Sequence, residues 1–399
     1  MQDTFIIDGI RTAIGSFRGG LSSVRTDDLA AYVIRALLSR HEHIDPASID
    51  DVILGCANQA GEDNRNVARM ALLLADLPWS VPGETINRLC ASGMSAIVNA
   101  HRAIQSGDGD LFIAGGVESM TRGPWVLSKS DQPFGANVEM HDSSFGWRFI
   151  NPAMKSKYGT ESMGETAENL ATMFKISRID QDRFAYNSQR KAVAAKSVFK
   201  EEITPVMIPR KKQDAIVFDK DEFMKPQTTL EGLAALRPAF KENGTVTAGN
   251  SSGLNDGAAA LLVSSDFGVR QYGLKPMARI VSSAVIGVEP RIMGIGPVGA
   301  TQSALKKAGL KLEDMDVIEI NEAFAAQVLA CTRTLGLEDE DERLNKYGGA
   351  IALGHPLGMS GARLILSAAR TLQRLDKKYA LATMCVGVGQ GYAVILERA

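Results

Sequence analysis

Cysteine is scarce in this chain, with four among 399 residues: Cys56, Cys90, Cys331 and Cys385. None sits at a zinc-type spacing, and a chain this long needs no disulfide framework. Long apolar runs are missing as well. No stretch of about 18 uncharged apolar residues occurs, which excludes a transmembrane helix. There is no excess of charge of one sign. The 44 basic and 46 acidic residues give a net charge of −2 and leave no electrostatic footprint for nucleic acid. Neither a membrane nor a nucleic acid is therefore an expected partner. The first residues carry no basic and then apolar leader, and the last four, Leu396 to Ala399, are no peroxisomal address. The expected location is the cytoplasm.

What is present is an ordinary globular balance, 45% hydrophobic and 23% charged, at a length of two or three domain-sized units. Short β-branched runs predict strands at Thr4–Ile7, Asp51–Leu54, Leu111–Ala114, Ala278–Ser282, Val317–Ile320, Ala380–Met384 and Ala393–Leu396. Helical spacing predicts helices at 27–39, 91–105, 165–173, 180–199, 301–308, 323–335 and 359–375. Strand and helix alternate at both ends, so an α/β fold with mixed, mostly parallel sheets is expected. The middle is richer in polar residues, Pro and Lys, and too long for a structureless loop. The expected division is an N-terminal unit over 1–119, an inserted loop domain over 120–247, a return to the first unit over 248–274, and a C-terminal unit over 275–399.

The two ends resemble copies of each other. Asp51-Val52-Ile53 opens one strand and Asp316-Val317-Ile318 another; Gly93-Met94-Ser95 opens one helix and Gly358-Met359-Ser360 another. Each pair of signatures is 42 residues apart. The reading is a duplicated α/β unit. It places Cys90 and His355 at equivalent positions, each three residues before its Gly-Met-Ser, and it matches Cys56 with Asn321.

Those positions suit chemistry. A cysteine at a helix start meets the positive end of the dipole, which favours thiolate and lowers its pKa; a small residue that packs closely would look the same. His355 lies among glycines before a helix, where a neutral imidazole can take a thiol proton or donate to an oxyanion, or simply cap the helix. Cys385 ends a strand and precedes Gly387, Gly389 and Gly391, whose N–H groups suit an oxyanion hole; its alternative is a buried structural thiol. Asn321, at a strand end, can hold a water or a carbonyl, or act as a plain N-cap. Gly294-Ile295-Gly296-Pro297-Val298-Gly299 fits G-x-G-x-x-G, but the strand before it ends too early for a dinucleotide fingerprint.

Taken together, Asn87–Ser95, Gly249–Ala259, Glu319–Phe324, Gly348–Gly358 and Met384–Gly391 resemble the motifs of thiolases, in order and over essentially the whole chain. The resemblance implies a five-layered fold of two pseudo-twofold-related α/β units plus a loop domain that helps bind coenzyme A. It implies Cys90 as acylated nucleophile, His355 as its base, and Cys385 as the thiol that moves a proton at carbon. Asn321 with His355 would form one oxyanion hole, and the N–H groups of Cys90 and Gly387 the other. Ser252, Met163, Phe240 and Ala323 match positions that contact coenzyme A. Lys225 stands where many relatives have arginine and lacks its planar fork. Coenzyme A enters as substrate, with no metal or other cofactor, and a homodimer or homotetramer is implied.

Within the family, Gly55–Arg69 and Phe145–Pro152 resemble degradative 3-oxoadipyl-CoA thiolases. Biosynthetic acetoacetyl-CoA thiolases usually carry histidine where Ser162 stands. An adipyl chain ends in a carboxylate, so Arg65, Arg69 and Arg148 are candidate partners, although surface pairing or helix packing is the plainer reading of each. Lys346-Tyr347 departs from the family's usual Pro-Asn before the paired glycines. The other readings are a general 3-ketoacyl-CoA or acetoacetyl-CoA thiolase, a decarboxylating condensing enzyme, and a non-catalytic acyl-CoA-binding protein.

Overall fold

The computed structural model describes residues 2–399. The first unit contains β1 (Thr4–Thr12), α1 (Thr26–Leu38), β2 (Asp51–Gly55), α2 (Val67–Leu74), β3 (Gly83–Ile86), α3 (Ser92–Ser106) and β4 (Leu111–Ser119). The intervening segment holds α4 (Met163–Met173) and α5 (Arg178–Ala194), and β5 (Asn255–Ser265) follows it. The second unit contains β6 (Ala278–Gly287), α6 (Gly296–Ala308), β7 (Val317–Ile320), α7 (Ala325–Leu335), α8 (Leu357–Leu375), β8 (Tyr379–Val386) and β9 (Gln390–Arg398).

The strands run β7-β8-β9-β6-β1-β5-β4-β2-β3 in one continuous path. Outward from the β1–β6 junction, both halves repeat one pattern. β1 pairs antiparallel with β5, β5 antiparallel with β4, and β4 parallel with β2. β6 pairs antiparallel with β9, β9 antiparallel with β8, and β8 parallel with β7. β3 lies parallel beyond β2, and an isolated parallel bridge from Ile318 to Leu344 takes its place beside β7. The duplication read from two short signatures is thus repeated in strand order and direction.

Side chains alternate across each strand, and that alternation builds the layers. From β4, Phe112 and Ala114 enter a central core, while Leu111, Ile113 and Val117 enter an outer one with α1 and α2. From β8, Ala380, Ala382 and Met384 enter the central core, and Leu381 an outer one with α6 and α7. Helices α3 and α8 lie in the centre, contributing Met94, Ile97, Ile104, Met359, Ile365 and Leu372 to it. The arrangement is α-β-α-β-α.

The two central helices touch where no side chain intervenes. A Cβ added at Gly93 would lie 2.5 Å from the Gly358 carbonyl oxygen. Gly93 and Gly358 are equivalent under the duplication, so the pseudo-twofold axis passes between them. Helix starts carrying Cys90 and His355 are held together by this contact.

Several elements depart from the sequence reading. The sheet is mixed but mostly antiparallel along its path, not mostly parallel, and the strands β3 and β5 and helix α2 were not expected. The predicted helix 180–199 ends at Ala194, and a short helix, Lys196–Phe199, follows. The G-x-G-x-x-G segment begins in a 3₁₀ turn, Pro290–Ile295, after β6 has ended at Gly287. A Cβ at Gly296 would lie 2.3 Å from the Gln390 carbonyl, so this glycine serves close packing on the start of β9.

Candidate active site

Cys90 stands just ahead of α3, on a turn held open by strain. Leu89 has φ +45°, a conformation costly for a residue with a Cβ. Asn87 Oδ1 accepts from the Leu89 N–H at 2.9 Å, and the Asn87 amide donates to the Ala57 carbonyl at 2.9 Å. The equivalent residue in the other half, Gly354, also has positive φ, +106°. The same backbone device therefore presents Cys90 in one unit and His355 in the other. Glycine is required at 354 on a second count, because an added Cβ would lie 2.5 Å from Asn255 Cγ.

The His355 ring is oriented by its neighbours. Ser360 Oγ donates to the Pro356 carbonyl at 2.8 Å and lies 2.6 Å from Nδ1. Since the serine proton is committed, Nδ1–H donates to Ser360, and the lone pair falls on Nε2. Nε2 lies 3.3 Å from Asn321 Nδ2. The Asn321 Oδ1 is buried with no partner, a polar atom that a water or a carbonyl-bearing ligand would engage. Asn255 Oδ1 accepts from the His355 N–H at 2.9 Å, and Asn255 Nδ2 donates to Gly15 O at 3.0 Å. The second unit's histidine is thus anchored to a strand of the first.

The Gly387 N–H lies close enough to the Cys90 sulfur to favour its thiolate. Cys385 lies close enough that its thiol feels charge on Cys90. The structure brings Cys90, Gly387 and Cys385 together at the meeting of α3 with the β8–β9 turn, and Asn321 together with His355.

Electrostatics correct one expectation. The Cys90 thiol is not lowered by the helix start; burial pushes it up to about 11, against the pull of the Gly387 and Cys90 N–H groups. Burial, helped by the Arg363 guanidinium, holds His355 down to about 3. The resting pair is a neutral thiol and a neutral imidazole. Burial also pushes Cys385 well above the usual thiol range, which keeps it protonated and able to donate.

Of the coenzyme A candidates, Met163 and Ala323 pack against the Gly387 turn and Cys385. Met163, at the start of α4, has its sulfur 4.0 Å from where a Gly387 Cβ would sit. The Phe240 ring packs on Gly164 and meets Phe324 edge-on at 5.9 Å. Ser252 N–H donates to the Ala323 carbonyl at 2.9 Å. Lys225 lines a cavity of about 250 Å³ with Gln189, Thr228, Leu233 and Gly249. Its ammonium lies 5.0 Å from the Phe223 ring, in place of a stacked guanidinium.

The chain matches the family models "Thiolase, N-terminal domain" over residues 4–266 and "Thiolase, C-terminal domain" over 274–398. The chain belongs to the thiolase family. It is 59% identical to the 3-oxoadipyl-CoA/3-oxo-5,6-dehydrosuberyl-CoA thiolase of Escherichia coli strain K12, over the full length of both. It is 56% identical to the beta-ketoadipyl-CoA thiolase of Pseudomonas putida, again covering both chains fully. Its fold superposes on the acetyl-CoA acetyltransferase of Bacillus anthracis with a TM-score of 0.93, at 40% identity and covering 100% and 99% of the two chains. Human mitochondrial 3-ketoacyl-CoA thiolase in complex with CoA gives 0.91 at 40% identity, covering 100% and 98%.

Three residues that support this thiolase site were given no role in the sequence reading. Asn255 and Ser360 hold His355. Glu118, at the end of β4, accepts from Ala57, Asn58 and Gly358 N–H at 2.9, 3.1 and 2.8 Å. It ties the cysteine-bearing unit to the first turn of α8. Burial pushes its carboxyl up to about 7 despite these bonds. Cys56, Asp63 and Glu118 bring their polar atoms within 4.8 Å of one another. Their arrangement fits an internal hydrogen-bond network, since Glu118 is engaged by backbone and Cys56, pushed well up by burial, donates to Asp63 at 3.8 Å.

Proposed function

We propose that this chain thiolytically cleaves 3-oxoadipyl-CoA, transferring its acyl group through a thioester on Cys90 to coenzyme A. The observation that carries the catalytic reading is the grouping of Cys90, Cys385 and the Gly387 N–H at one point of the fold. The names of the full-length relatives carry the substrate.

In the first half-reaction the Cys90 sulfur attacks the C3 carbonyl as its proton passes to His355 Nε2. The oxyanion that forms is stabilised by hydrogen-bond donors aimed at it. The C2–C3 bond then breaks. Its electron pair goes to C2 of the departing acetyl-CoA, which takes the Cys385 proton, leaving succinyl on Cys90 and a Cys385 thiolate. In the second half, coenzyme A gives its thiol proton to Cys385 and attacks the thioester. Succinyl-CoA leaves, and His355 returns the proton to Cys90. This is a ping-pong sequence. Resting neutrality of the Cys90–His355 pair suits it, because charge appears only as the substrate arrives.

Ser252, Met163, Phe240, Ala323 and Lys225 are assigned to coenzyme A. The exposed apolar side chains of Trp125, Leu127, Phe134 and Met140 on the hairpin around 125–142 support self-association as a dimer or tetramer. Among the described residues no helix is long and apolar enough to cross a membrane.

A substrate panel tests the assignment. 3-Oxoadipyl-CoA is expected to give a higher kcat/KM than acetoacetyl-CoA or longer 3-ketoacyl-CoAs. Equal values across the panel would leave the thiolase chemistry standing and overturn the substrate.

A further inference from the structure

We infer that Arg148 recognises the terminal carboxylate of the acyl chain, and so sets the enzyme's preference for a dicarboxylic substrate. The inference rests on the 3-oxoadipyl-CoA reading above. Such a substrate leaves a succinyl group on Cys90, with an anion two methylenes beyond the thioester carbonyl. A carboxylate brought out of water at that depth needs a cationic, hydrogen-bonding partner.

Arg148 lies on a segment tied on one side to the residues that hold the Cys90 turn and on the other to the lead-in of α4. On one side, Ser143 Oγ accepts from Asn58 Nδ2 at 3.2 Å. Asn58 follows Ala57, whose carbonyl holds Asn87, and Asn87 in turn holds the turn bearing Cys90. On the other side, Trp147 Nε1 donates to the Glu161 carbonyl at 3.3 Å. Glu161 is two residues before Met163, which faces Gly387. The segment carrying Arg148 therefore bridges the surroundings of the Cys90 turn and the start of α4.

The guanidinium itself is positioned but not neutralised. It donates to the Ser143 carbonyl at 3.1 Å and to Asn58 Oδ1 at 3.5 Å, and it is half-buried. Among the described residues no carboxylate forms an ion pair with it. Two neutral acceptors leave further N–H donors for a planar anion.

The other arginines near the cysteine turn are neutralised by a carboxylate or turned toward other segments. Arg69 donates to the Trp79 carbonyl at 2.8 Å and to the Val81 carbonyl. Arg122 pairs with Glu62 at 2.5 Å, and Arg25 with Asp27 at 2.8 Å. Arg88 donates to Ser95 and Gln390, both at 2.9 Å. Arg65 is exposed, in a turn with φ +66°.

The test is a ratio of kcat/KM for 3-oxoadipyl-CoA over 3-oxohexanoyl-CoA, in which a methyl replaces the carboxylate. It is measured in the wild type and in Arg148→Gln, Arg148→Lys and Arg65→Gln. Because both substrates meet the same preparation, partial unfolding cancels from the ratio. Arg148→Gln is expected to lower it about 10- to 100-fold, the loss of one charge-assisted contact. Arg148→Lys should restore part of it. A wild-type preference that survives Arg148→Gln, or that falls instead with Arg65→Gln, would overturn this inference alone. A wild-type ratio near one would overturn the substrate reading and this inference with it.

Discussion

Replacing Gly93 by alanine probes how the two units hold their chemistry in register. The added Cβ would lie 2.5 Å from the Gly358 carbonyl oxygen and 3.1 Å from the Ala362 nitrogen. Both are backbone atoms, so no side chain can swing aside. Ordinary contact begins at 3.4 Å, so α3 and α8 must part by about 0.9 Å. Overpacking of this kind costs about 1–3 kcal/mol. The functional cost should be larger in proportion. α3 follows Cys90 and α8 follows His355, and a displacement of about 1 Å can lower a rate about 100-fold. The assay pairs a melting curve with steady-state thiolysis. Gly93→Ala is expected to lose stability modestly and kcat by about 10- to 100-fold, with a smaller change in the KM for coenzyme A. Gly358→Ala should be worse, because its Cβ would meet the Val117 and Gly55 carbonyl oxygens at 2.3 and 2.8 Å. Full kcat and an unchanged melting temperature in Gly93→Ala would refute the idea that this contact sets the geometry.

Other outcomes follow from the site. Alkylation of Cys90 by iodoacetamide should rise about tenfold per pH unit from pH 7 to 10, because the thiolate fraction grows up to a folded pKa of about 11; a plateau already present at pH 7 would contradict a neutral resting pair. Ser360→Ala removes the acceptor of His355 Nδ1–H, so kcat should fall about tenfold or more, short of the about 10²–10⁴-fold expected for losing a general base. Cys385→Ala removes both the proton given to C2 and the base that takes the coenzyme A thiol proton, so it should cut 3-oxoadipyl-CoA thiolysis by about 10²–10⁴-fold while alkylation of Cys90 by iodoacetamide keeps its wild-type rate. If Cys90 alkylation and the melting temperature fell together with turnover, Cys385 would be a structural thiol.

Much of the fold was legible because its strands are β-branched and its repeats carry paired signatures. The paired Asp-Val-Ile strand openings, ending in Ile53 and Ile318, and the two Gly-Met-Ser helix starts mark the duplication in the sequence itself. What escaped was strand β5. Its Gly257-Ala258-Ala259-Ala260-Leu261-Leu262 run lacks β-branching, and all eleven of its residues are buried, so no polar alternation marks it. Asn255 escaped for a related reason, since its role is a hydrogen bond to His355 100 residues away. The direction of the Cys90 shift was misjudged because a helix start is visible in sequence and burial is not.

Whether Cys90 carries the acyl group can be read by mass spectrometry of the enzyme mixed with 3-oxoadipyl-CoA without free coenzyme A, quenched in acid and digested. The peptide containing Cys90 should carry a succinyl group that disappears when coenzyme A is added before the quench, and Cys90→Ser should carry none. A succinyl group on Cys385, or turnover with Cys90 unmodified, would contradict the mechanism at its root.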